Sequence, residues 1–152
     1  MKSKEQILKS KSVYLHDWSE SKRFGVISDF EQLNLSESDF KAKESPYPNK
    51  EYWAEKVDRA KKVIPNWNDI KILFASYSYE NYSGDAFVLF SKDGELFEVN
   101  GSHCSCYGLE YQWSPEPVVL KELEHRLTVG TFGTNSYCGN EFNEELKKLL
   151  GI

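Results

Sequence analysis

The chain has 152 residues, the length of one domain that can bury a core without disulfide staples. With 39% apolar and 28% charged residues its composition is that of a globular protein, and no run approaches the ~20 apolar residues of a membrane helix. The net charge is −5 and sits in the second half, where residues 76–152 hold 5 Lys/Arg against 12 Asp/Glu, which argues against direct nucleic-acid binding.

The N-terminal stretch carries lysines but no apolar core, so it does not read as a secretory signal. Three cysteines without an export signal predict reduced thiols and a cytoplasmic protein. Ser3 is placed to cap a short helix over 3–11. Residues 12–35 show no strong period, and 1–45 read as a loosely packed segment of a single domain, 1–152. Ser28 and Ser36 each precede an acid by three residues, a weak capping-box pattern. Pro46 and Pro48 then break the chain.

Asn49 opens a helix predicted over 50–64, with Trp53, Val57, Ala60 and Ile64 on one face and Pro65 at its end. Its outer lysines and arginine are interrupted by Glu51, Glu55 and Asp58, which argues against a nucleic-acid surface. A small antiparallel sheet is predicted over residues 70–107. Its hairpin turns at Lys92-Asp93-Gly94 between the runs AFVLF and ELFEV. AFVLF is apolar on both faces, as in a doubly covered central strand. Asn100-Gly101 reads as a second turn or a bulge. Ser114, with Pro115 at the first helical position, predicts a helix over 115–127. Residues 128–139 read as a loop or short strand, and Asn140 as the cap of a helix over 140–150. The fold class is α+β, with helices packed on one face of the sheet.

The run GSHCSCYGLEYQW (101–113) concentrates the soft ligands and aromatics. His103, Cys104 and Cys106 are zinc-ligand types, and Cys138, His16 and His125 are the remaining candidates to complete a tetrahedral set. A single Cys-x-Cys lacks the second paired knuckle of a structural zinc site. A catalytic thiol needs a histidine in reach. Strand alternation puts His103 and Cys104 on opposite faces, leaving His125, oriented by Asn140 or Asn135, as the alternative base. No phosphate-loop, dinucleotide or metalloprotease motif is present. No catalytic residue, metal or cofactor is therefore assigned; zinc on His103, Cys104, Cys106 and Cys138 is the alternative. The favoured reading of the run is a glycine-hinged loop packed by Tyr107, Tyr111 and Trp113.

Residues 76–116 carry one lysine against seven acids, interleaved with tyrosines. In a strand, Tyr77 and Tyr79 share one face, and Ser76, Ser78 and Glu80 the other. Tyr77, Tyr79, Glu80, Tyr82, Asp85, Tyr107, Glu110 and Trp113 are the candidate binding residues, an acidic aromatic surface suited to a basic protein partner. The bland alternative is a solvated sheet face.

The segments SYENYSGDAFVLF (78–90), Asp93-Gly94, EVNGSHCSCYGLE (98–110) and Gln112-Trp113 resemble a segment of small uncharacterised proteins of bacteriophages and prophages, over about residues 72–127. The resemblance implies a phage accessory protein acting inside the bacterial host cell. It would work by binding, as an inhibitor of a host enzyme or defence complex. No activity or site residue comes with it. The alternative function is a small-molecule or nucleotide site, or a metal or thiol site, centred on His103, Cys104 and Cys106.

Overall fold

A computed structural model describes residues 1–80, 82–135 and 138–152. The elements follow in the order α1 (Lys4–Leu8), β1 (Val13–His16), α2 (Lys22–Glu31), α3 (Glu37–Lys41), α4 (Lys50–Val63), β2 (Lys71–Glu80), β3 (Ser83–Lys92), β4 (Glu95–Cys104), β5 (Glu116–Pro117), α5 (Leu120–Thr128) and α6 (Asn143–Leu150), with a 3₁₀ turn at Ile64–Trp67 after α4. The fold is α+β. One five-stranded sheet runs β1-β2-β3-β4-β5; only the β1–β2 pair is parallel. No helix among the described residues is long and apolar enough to cross a membrane.

The Asp93-Gly94 turn sets the register. Both residues have positive φ, 52° and 77°, the two-residue hairpin geometry that Asp-Gly favours. Lys92 pairs with Glu95, so Phe90 meets Phe97 and Val88 meets Val99. Alternation along β3 then sends Ala86, Val88 and Phe90 to one face and Phe87 and Leu89 to the other. An irregularity in β2 between Ile72 and Phe74 turns Leu73 and Phe74 to the same side.

Helices cover both faces rather than one. The first core joins Ala75, Val88 and Phe90 to Val26, Ile27 and Phe30 of α2, Val57 and Ala60 of α4, and Trp18 and Trp67. The second joins Phe74, Phe87 and Leu89 to Ile7 of α1, Leu123 and Leu127 of α5, and Leu146 and Leu150 of α6. The doubly apolar β3 requires this: each uncovered face would leave several large apolar side chains in water.

Residues 7–35 take part in this packing, unlike the loose segment expected from their weak period, whereas α3 and residues 42–45 include no fully buried residue. Trp18 is fully buried, and Val26, Ile27, Phe30, Leu33 and Leu35 lie in the first core. Ser28 does not cap a helix: it lies inside α2 and its hydroxyl donates to the Leu35 carbonyl. Ser3, Ser36 and Asn49 do cap α1, α3 and α4 through their side chains. The helix expected from 115 begins at Leu120, because the residue before a proline avoids the helical region and Pro117 follows Pro115 by two. Glu116 and Pro117 instead form a short edge strand against Glu98 and Phe97, where a missing N–H is tolerated. Asn140 does not cap α6, which starts at Asn143; its side chain is buried between strands. Asn100-Gly101 is no turn, since β4 runs through it. In the 128–139 stretch, Ser136 and Tyr137 lie outside the described residues, as does Asn81.

One ion pair ties α5 to the sheet. Arg126 forks onto both carboxylate oxygens of Glu98, at 2.9 Å for the longer contact, and its guanidinium lies over the Phe132 ring. Glu98 is 6% exposed and also accepts from the Asn100 amide. Arg126→Met should destabilise the protein by about 2 kcal/mol in urea unfolding, because the buried Glu98 charge loses its partner, an effect moderated by Arg126's partial exposure. Adding Glu98→Gln should recover more than half of the loss, since the uncompensated charge is then gone.

Candidate functional site

The cover of the sheet thins at one end of the meander, toward the last residues of β2 and β4. Tyr77 and Tyr79 of β2 and His103 of β4 share the face that packs on α2. Gly84 of β3 lies between Tyr79 and His103 in the register, and without a side chain it lets the two rings meet at 4.1 Å between centroids. The Tyr77 hydroxyl and His103 Nδ1 are 2.7 Å apart. Burial, followed by the nearby carboxylates of Asp29, Asp17 and Glu110, pushes the Tyr77 phenol well above its ordinary range. The phenol therefore stays neutral and can donate to Nδ1.

Behind Tyr77 stands Trp18, at 5.1 Å between rings, whose indole N–H donates to Asp29 Oδ2 at 2.7 Å. Asp29 sits on the last turns of α2. Burial holds its carboxyl above the usual carboxylate range, against the opposing effects of the Trp18 hydrogen bond and His103.

The other wall is the loop after β4. The strand closes in a tight turn in which the Cys104 N–H donates to the Tyr107 carbonyl at 3.2 Å. Gln112 then imitates a strand residue. Its Oε1 accepts from the Ser102 N–H at 2.8 Å, while its Nε2 donates to the carbonyls of Ser102 and Gly108 at 2.7 and 2.6 Å. Leu109 is buried over Gly101, where an added Cβ would stand 3.0 Å from its methyl. Trp113 anchors the far end against Trp67, Phe30 and Phe90. Thus Asn100-Gly101, expected as a turn, instead provides a flat seat for the loop.

Between α2 and this loop lies a cleft of about 380 Å³, within the range of small-ligand sites. Asp29 and Glu110 contribute carboxylates, Tyr77 and His103 the hydrogen-bonded pair, and Tyr107 a half-exposed ring. Glu110 Oε2 accepts from the Gly108 N–H at 3.0 Å. Among the described residues no Lys or Arg lines the cleft.

The eight candidate binding residues thus fall into separate groups. Tyr77, Tyr107 and Glu110 line the cleft, and Tyr79 stacks on its His103. Tyr82 is 74% exposed at the start of β3. Glu80 and Asp85 belong to the opposite face by register; the Asp85 carbonyl accepts from Asn140, and its carboxylate from the Cys138 thiol at 3.4 Å. Trp113 packs in the first core and serves the fold. The ligand candidates are also dispersed. His16 bonds the Glu141 carbonyl, Cys138 is buried beside Asp85, and His125 lies on α5. Among the described residues no group of three or more His, Cys, Asp and Glu side chains converges to hold a metal. The Asn140 amide, one of the two candidates to orient His125, is engaged instead by Ser76 and Asp85. Asp29, Ser28, Gln32 and Asn34 are the cleft residues that sequence reasoning missed. They belong to a stretch with no strong period, and the one local pattern there, the weak capping box at Ser28, pointed to a helix start and not to a site.

No family model matches the chain, and neither curated proteins nor solved structures yield a significant match.

Asp29 makes the site testable by pH. Its folded value lies above the ordinary value, so its contribution to stability is present in acid and lost as pH rises through the folded value. Asp29→Asn keeps an acceptor for Trp18 but cannot ionise. The variant should be more stable than wild type at pH 7, and the difference should shrink as pH falls toward about 4. Thermal unfolding across that range measures it.

Proposed function

We propose that this chain is a phage-type accessory protein that acts by binding a host protein inside the bacterial cell, and that it takes a basic side chain or basic segment of that partner into the Asp29–Glu110 cleft. The observation that carries the reading is the cleft itself: two carboxyl groups, a hydrogen-bonded Tyr–His pair and no lining Lys or Arg among the described residues. An ammonium or guanidinium group entering there meets opposite charge in a partly desolvated site, where such pairing is strongest. The half-exposed Tyr107 and Tyr79 add aromatic surface around it, the composition typical of interface anchors. The resemblance read in residues 72–127 motivates the phage setting alone; the basic character of the partner rests on the cleft.

The nucleotide form of the alternative reading fits less well, since phosphates would face Asp29 and Glu110 with no lining Lys or Arg among the described residues to receive them. A small cationic ligand uses the same chemistry as a basic side chain, and the cleft volume suits it.

Fluorescence anisotropy with a labelled Lys/Arg-rich peptide tests the proposal. Wild type should bind it in preference to a Glu-rich peptide of the same length, and added salt should weaken binding. Glu110→Lys and Asp29→Asn should each reduce affinity roughly tenfold or more. Equal binding of both peptides, or no effect of either variant, would remove the proposal.

A further inference from the structure

The turn that ends β4 holds chemistry that the cleft reading does not use. Cys104, Ser105, Cys106 and Tyr107 form a closed turn, with the Cys104 N–H on the Tyr107 carbonyl. The chain doubles back at once, and the Cys106 N–H donates to Cys104 Sγ at 3.3 Å. Cys106 is exposed and Cys104 partly so, and both are free thiols. In an extended strand these side chains would stand two residues apart on one face; the turn folds them toward each other instead.

We propose that Cys104 and Cys106 form a redox-active dithiol that exchanges with disulfides, with Cys104 the attacking thiol and Cys106 the resolving one. The geometry assigns the roles. Backbone N–H groups directed at a sulfur favour its anionic form, as at any concave nest of amides. The Cys104 thiol is accordingly lowered, first by the Cys106 N–H, with further hydrogen bonds from the Tyr107 N–H and the Cys106 and Tyr107 side chains, against some opposing burial. Cys106 is the more exposed thiol and stands beside it. Cys138 takes no part: it is buried, and burial raises its thiol.

The step balances with a low-molecular-weight disulfide as oxidant. Cys104 thiolate attacks one sulfur of RSSR, the S–S bond breaks, and one thiolate RS⁻ leaves. Cys106 loses its proton to solvent and attacks Cys104 Sγ in the mixed disulfide, which releases the second RS⁻. Cys104 and Cys106 are oxidised to one internal disulfide, and RSSR is reduced to two thiols after protonation. Cys106 and Tyr107 line the cleft, so the oxidised turn would also change the cleft wall. The dithiol chemistry stands or falls separately from the cation-binding proposal.

The test uses glutathione disulfide at pH 7 on the full chain, followed by alkylation and peptide mass mapping. Wild type should lose two hydrogens within the peptide containing residues 104–106, with Cys138 alkylated only after denaturation. Cys106→Ser should stop at a stable glutathione adduct on Cys104. Cys104→Ser should leave Cys106 reacting about tenfold more slowly than Cys104 does in Cys106→Ser, as expected of a less ionised thiol. A wild-type product that stays glutathionylated with no internal disulfide would overturn the proposal. So would equal rates for the two single thiols. The wild-type mass change alone decides the matter if either serine variant fails to fold.

Discussion

A β-meander that is apolar on both faces must be covered twice, and the rest of this molecule follows from that requirement. β3 sets Phe87 and Leu89 on one side and Val88 and Phe90 on the other, all buried. The segment before β2 supplies one cover, through α2, α4, Trp18 and Trp67. The two ends of the chain supply the other, through α1, α5 and α6. The backbone N–H of Lys2 donates to the Leu150 carbonyl, so the termini meet on that second layer. Burying both faces brings the dominant favourable term of folding into a domain of modest size.

The candidate site is where that cover gives out. Polar atoms enter the aromatic layer there in hydrogen-bonded pairs, Trp18 with Asp29 and Tyr77 with His103. No buried side-chain polar atom among the described residues lacks a partner, so these groups are held in fixed positions. Burial raises the Asp29 carboxyl above its ordinary range, so its charged form is held at a desolvation cost, which is the pattern of a group kept for something other than stability. The loop wall is held equally firmly. Gln112 bonds to β4 as backbone would, Leu109 seats on Gly101, and Trp113 closes onto the aromatic core. A preformed, rigid wall suits binding, because little ordering entropy remains to oppose it.

How far the sequence told this in advance depended on how local each signal was. Asp93-Gly94 placed the hairpin because its turn chemistry is contained in two residues. Asn49 and the spacing of Val57 and Ala60 placed α4 for the same reason. The alternation that separates His103 from Cys104, and joins Tyr77 to Tyr79, followed from the strand period. Where a residue's role is set at long range, the local reading failed. Asn140 has the chemistry of a helix cap but is drawn into bonds with Ser76 and Asp85 some sixty residues earlier in the chain. Gly101 looks like a turn but is a seat for Leu109. The acidic aromatic run 76–116 read as one surface even though alternation set Glu80 opposite Tyr77, and pairing in the sheet puts Asp85 on that opposite face as well. Asp29 carried no signal, since no motif links it to its hydrogen-bond partner Trp18 and the rest of the cleft arrives from β2, β4 and the loop beyond.

The central claim is that cations are received at the cleft between α2 and the loop after β4, not at the acidic groups of the opposite face. A two-dimensional amide NMR titration with an Arg-rich peptide tests it most directly. Shifts should concentrate at Asp29, Gln32, Asn34 and residues 103–110, and Glu110→Lys should suppress them. Shifts centred instead on Glu80, Asp85 and Asn140, or spread evenly over the acidic surface, would contradict the account.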